Sequence, residues 1–173
     1  PVTHRETSEP PRVVATRGRN RRPRRPSGGW ARKVIFEPPL AGLLQVHPET
    51  CNAGPYDHTL DECRAHDLFT CARHIERTIQ AEDPETVAAV IVEPFQRLLK
   101  PKPGFLRALR SVTEECGIPL IFDEIVTGFR FAFCCEQEFY GHLHVIFTFG
   151  QTSAGAFPLR AVGVLTRLWR VFS

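Results

Sequence analysis

Two short apolar runs, VAAVIV at 87–92 and IPLIF at 118–122, each end abruptly in a carboxylate, Glu93 and Asp123. Continuous apolar runs of this length are the mark of strands covered on both faces rather than strands with one wet side. Between them Phe105, Leu106, Leu109, Val112 and Cys116 recur at helical intervals, and Gly117 is placed to cap that helix. A strand, a helix and a second buried strand make one parallel unit, so both acids are expected at the carboxyl ends of neighbouring strands, where open parallel sheets bind ligands. A carboxylate at the end of a buried strand needs a partner, because left unpaired it costs several kcal/mol or takes up a proton.

The same alternation extends over most of the chain. Thr59 and Glu62 have capping-box spacing, and Leu68, Cys71, Ala72, Ile75 and Ile79 continue at helical intervals until Asp83-Pro84 interrupts them near Glu82. Apolar runs at 145–149 and 161–165 read as two further strands, while the Pro-rich and Gly-rich stretch 30–58 reads as a surface loop. The expected fold class is therefore α/β, a mostly parallel sheet flanked by helices. With 173 residues and 42% apolar content, one domain or part of a larger one is expected. Residues 1–29 carry eight arginines among prolines with almost no apolar period, and are expected to be disordered.

Composition excludes some classes and leaves others open. No apolar stretch approaches the roughly 18 residues that cross a membrane, and no signal segment opens the chain, so an intracellular soluble protein, cytoplasmic or organellar, is the default. The chain lacks methionine, so Pro1 is not a translation start and a fragment or processed product is expected. Six scattered cysteines without secretory context read as reduced thiols. The run RGRNRRPRRP at 17–26 has the charge to neutralise phosphates, but no interleaved aromatic stacks on bases, and a nucleic-acid binder is the weaker reading. Cys63, His66, Cys71 and His74 carry zinc-type ligands, yet on one continuous helix they rise about 16 Å and cannot close around one ion; only a break in the helix would let them, and no metal site is assigned. A cationic ring nitrogen would satisfy Asp123, which points towards a pyridoxal phosphate site.

The stretches DPETVAAVIVEPFQ, PGFLRALRSVTEECGIPLIFDEIVTGF, FTFG and SAGAFPLRAVGV, in that order, resemble the class III (omega-type, subgroup II) pyridoxal-phosphate-dependent aminotransferases. A fainter match in WARKVIFEPP and PYDHTLDECRAHD extends the resemblance to residues 30–165, which would correspond to part of the fold type I large domain, with 166–173 a divergent tail. The resemblance implies pyridoxal 5'-phosphate as cofactor, an amine or amino acid and an oxo acid as substrates, and a homodimer. It also implies roles at matching positions. Asp123 would pair with the pyridine nitrogen and keep it protonated, Ile125 would pack on the ring face, Glu93 would lie near the cofactor and help organise the site, Gln96 matches the glutamine that follows in many members and joins these cofactor-binding residues, and Glu124 would give structural support.

One position departs from that pattern. After the strand at 145–149 the family has a lysine whose amine attaches the cofactor as a Schiff base and later carries the proton. Here Gly150 is followed by Gln151, through either replacement or deletion of the lysine, and the chain's lysines are Lys33, Lys100 and Lys102. An amide forms no imine, so covalent attachment and transamination are both expected to fail. The family's Pro-Asp before that strand reads His144-Val145, its Gly-rich stretch is reduced to RLLKPK, and its phosphate-binding loop and ring-stacking aromatic have no counterpart. A catalytically dead interaction or regulatory module, or the product of a pseudogene or frameshift, is the alternative expectation.

Overall fold

The computed structural model describes residues 12–15, 42–46, 69–95, 100–141, 146–151, 155 and 157–164. Among these residues six strands form one sheet. They are β1 (Arg12–Ala15), β2 (Leu43–Gln45), β3 (Val87–Val92), β4 (Leu120–Asp123), β5 (Ile146–Phe149) and β6 (Ala161–Gly163), in the spatial order β2-β1-β3-β4-β5-β6. The five pairings run parallel except β5 with β6, which is antiparallel. The mostly parallel α/β class expected from the sequence is the observed one, with that one antiparallel strand at the edge.

Three helices connect the strands: α1 (Thr70–Ala81), α2 (Phe105–Glu115) and α3 (Cys135–Tyr140). On α1 the buried side chains are Cys71, Ala72, Ile75 and Ile79, and on α2 they are Phe105, Leu106, Leu109 and Thr113. These stripes join Val14, Val90, Val92, Leu120 and Phe122 in one apolar core, which fixes both helices against the sheet. Cooperative burial of this kind supplies about 1.5–3 kcal/mol per large aliphatic side chain.

The helix ends follow local chemistry. At the end of α1, Asp83 takes a positive φ of 64° and its Oδ1 accepts the Glu85 N–H at 3.1 Å, starting the single turn Pro84–Thr86 that leads into β3. At the end of α2, Gly117 has a φ of 68°, its N–H donates to Glu114 O at 3.0 Å, and the Ile118 N–H donates to Thr113 O at 2.8 Å. That pair of bonds is a Schellman closure, which requires the left-handed residue that glycine supplies without strain. It turns the chain sharply into β4.

Two expectations need correction. Arg12–Ala15, inside the segment read as disordered, is a strand between β2 and β3, with Val14 0% and Ala15 3% exposed. The apolar triplet Val13-Val14-Ala15 is too short to show a period, and pairing on both sides gives it the burial that its length could not signal. Second, α1 begins at Thr70 with Phe69 as a non-helical cap, so the helix does not run on continuously from the Thr59 capping box. Thr59, Glu62, Cys63, His66 and the arginine run at 17–26 lie outside the described residues.

Candidate active-site rim

Parallel pairing puts the ends of three adjacent strands at one edge of the sheet. Val92 of β3 is in register with Phe122 of β4, and Asp123 of β4 is in register with Thr148 of β5. The residues that follow, Glu93 after β3 and Gly150 and Gln151 after β5, therefore share the carboxyl-end rim with Asp123. The sequence expectation that Glu93 and Asp123 end on the same rim agrees with this arrangement.

Asp123 is 7% exposed, so its carboxylate is largely removed from water. Its Oδ1 accepts long hydrogen bonds, 3.4 Å each, from the Ile125 backbone N–H and the Thr148 hydroxyl. The first of these curls the chain back just after β4, while the second comes from the register partner on β5. At 3.4 Å both bonds lie beyond the usual donor distance. Thr148 escaped the sequence reading because a threonine within a strand is ordinary, and only the β4–β5 register brings it to Asp123.

Ile125 follows two residues on and rests against Gly150, the residue that follows β5. A Cβ built on Gly150 would lie 3.3 Å from Ile125 Cγ2 and 3.4 Å from its Cγ1, so the glycine lets that backbone run close beneath the isoleucine. Gln151 comes next and is exposed. Gln96 and His144 lie outside the described residues, as do Arg97 to Leu99.

Beyond Asp123 the chain forms a wound turn. The Glu124 N–H donates to Thr148 O at 3.0 Å, prolonging the β4–β5 ladder, and Glu124 O accepts the Gly128 N–H at 2.9 Å. Phe129 stacks on Phe149 at 5.1 Å between ring centroids, and Phe131 packs against Phe95 at 5.1 Å and Phe139 at 5.8 Å. These ring contacts link the turn to β5, to the residues after β3 and to α3. Cys135 is buried, whereas Cys134 is exposed. Cys71 is buried in the core beneath α1, and among the described residues no group of three or more His, Cys, Asp or Glu side chains could hold a metal ion.

Glu124 and Glu136 went unread as a pair. Both are fully buried, and burial raises the Glu124 carboxyl above the ordinary range, while burial and the neighbouring Glu124 push Glu136 up to about 7. No periodicity reveals this, since CEQEF at the start of a short helix reads as a solvated face.

The residues at the rim fit a pyridoxal-type group in one respect and not in another. A buried carboxylate at the end of β4 is suited to a protonated ring nitrogen, and Ile125 is suited to a ring face. Gln151 has no amine with which to hold such a group covalently.

Comparison with known proteins agrees with the fold. Residues 40–173 match the family model for aminotransferase class III. The chain is 40% identical over 100 residues to a glutamate-1-semialdehyde 2,1-aminomutase of Methanococcus vannielii, and 42% identical over 89 residues to one of Methanococcus maripaludis. Those alignments cover 56% and 50% of this chain but only 23% and 21% of the relatives, so the chain spans under a quarter of their length. Among solved structures, a transaminase from ancestral reconstruction superposes with a TM-score of 0.74 at 25% identity, covering 93% of this chain and 36% of its own. The omega transaminase of Pseudomonas jessenii in complex with PMP superposes with a TM-score of 0.72 at 22% identity, covering 92% and 36%. With the family model matching well over half of its length, the chain belongs to the class III aminotransferases.

Proposed function

We propose that this chain is a class III aminotransferase domain that holds pyridoxal 5'-phosphate or its amine form without a covalent bond, and does not itself carry out transamination. The observation that carries the proposal is the pairing of a buried Asp123 with an exposed Gln151 at one rim. When bound, the cofactor supplies a ring that accepts electrons from the substrate's α-carbon. Asp123 would hold a proton at the ring nitrogen, and a charge-assisted hydrogen bond of this kind contributes about 1.5–3 kcal/mol. Ile125 would cover one ring face, and Glu93, with Gln96, would help to organise the neighbouring edge. Gln151 can donate a hydrogen bond but can neither form an imine nor carry the substrate proton as an amine does. A second copy of the chain would complete the site in the manner the family resemblance implies.

The family reaction moves an amino group from an amine or amino acid to an oxo acid, and the aminomutase relatives add glutamate-1-semialdehyde, by their name, as a candidate substrate class. Restoring the amine tests the reading. After incubation with pyridoxal phosphate and borohydride reduction, the parent chain is expected to retain no cofactor at residue 151, and Gln151→Lys to gain one cofactor mass on the peptide containing residue 151. A folded Gln151→Lys variant that gains none would show that the rim does not present position 151 to the cofactor.

A further inference from the structure

Behind the rim, two glutamates are buried together, and among the described residues no cation bonds to either carboxyl. Glu124 is 0% and Glu136 1% exposed, and the Glu136 backbone N–H donates to Glu124 Oε2 at 3.1 Å. The Cys135 thiol also hydrogen-bonds the Glu124 carboxyl. Among the described residues, Glu124 Oε1 and both carboxyl oxygens of Glu136 have no hydrogen-bond partner. A buried ionised carboxylate in that state is strongly disfavoured, and two in contact are more so.

The groups around the pair do not neutralise it. Glu124 comes from the end of β4, and Glu136 from the first turn of α3. The intervening turn contributes Cys134 and the start of α3 contributes Cys135, and burial together with Glu124, Cys134 and Glu136 raises the Cys135 thiol, so it stays uncharged. On α3, Glu138 is engaged elsewhere, accepting the Cys134 N–H at 2.7 Å. Asp123, on the β4 side, is directed to Ile125 and Thr148. No arginine or lysine among the described residues bonds to either carboxyl. Among the described groups, that leaves a proton as the neutralising species.

We propose that Glu124 and Glu136 form a proton-carrying clasp, in which a proton kept on the pair removes the repulsion between the two carboxyls, so that the Glu136 N–H bond to Glu124 holds α3 to the end of β4, and in which loss of that proton loosens the intervening turn. The consequence reaches the rim. Glu124 is the residue whose backbone ties β4 to β5 through Thr148 and closes the turn through Gly128, and Ile125 leads that turn. The inference rests on the two buried carboxyls and stands whether or not a cofactor binds.

The direction with pH follows from linkage. Glu136 is raised from its ordinary 4.5 to about 7 in the folded chain. Its contribution is therefore fully present below about 4.5 and is lost as pH rises through about 7. Carbon-detected NMR of the glutamate carboxyls, with urea unfolding at acid and mildly alkaline pH, tests this. One glutamate is expected to titrate near neutrality and to vanish from the spectrum in Glu136→Gln. The folding equilibrium constant of the parent should fall on the order of a hundredfold from about pH 5 to about pH 8, and by under about tenfold in that variant. Glu124→Gln should move the Glu136 midpoint downward, since it removes the facing charge. If every glutamate of the parent titrates in the ordinary carboxylate range, or if folded Glu136→Gln keeps the parent's pH slope, the clasp is wrong. Should Glu136→Gln fail to fold, the parent titration and the Glu124→Gln shift decide the matter by themselves.

Discussion

At residue 151 the side chain is an amide, and the proposal that this rim does not itself carry out transamination turns on that residue. The change is legible directly, because a lysine is required by the chemistry of imine formation and the strand that should precede it is easily recognised. Asp123 was legible for a different reason: an acid that closes an apolar strand has few physical explanations. Its partner Thr148 and the buried Glu136 were not legible, because both depend on which strand or turn lies next to them in space. Burial of Glu136 was hidden further by its polar neighbours Gln137 and Glu138. The fold places a residue that reads as solvated in contact with Glu124, 12 positions earlier in the chain.

At the scale of elements, β3, α2 and β4 were readable almost residue by residue, because a six-residue apolar run, a helical stripe and a capping glycine are local signals. The expected cap at Gly117 is the one observed. By contrast β1 is four residues long and β2 three, and neither carries enough pattern to be told from loop. Their identity comes from pairing, which only the assembled sheet supplies. Leu109 on α2 is 0% exposed within the core, and Leu109→Ala should destabilise the chain by about 2–5 kcal/mol, read as a lower urea midpoint with an unchanged slope. An effect below about 1 kcal/mol would mean that α2 does not pack on the sheet as described. At the β5–β6 pair, a Cβ on Gly163 would fall 1.9 Å from a Phe147 ring carbon, so Gly163→Val should displace the Phe147 ring or detach β6. The measurement is loss of the cross-strand amide protections in hydrogen exchange, with the β3–β4 protections retained.

For the whole molecule, the sheet is built around strands distant in sequence. β1, from the first 15 residues, lies between β2 and β3, and Arg12 forms an ion pair with Glu82 at the end of α1. That pair is partly exposed and contributes little, of the order of 0–1 kcal/mol. The buried Val14 matters more. Val14→Asp leaves an unpaired charge beneath the sheet and should cost about 3–5 kcal/mol, whereas a chain whose first residues were only a solvated tail would show no change by urea unfolding.

The account as a whole depends on Asp123 holding a protonated ring nitrogen, and it is tested most directly by binding of pyridoxamine 5'-phosphate, which has no aldehyde to react with stray lysines. Fluorescence titration should give saturable binding to the parent chain, weakened about ten- to a hundredfold in Asp123→Asn, the equivalent of one charge-assisted hydrogen bond. Equal affinity in the two folded proteins, or no saturable binding to the parent, would contradict it.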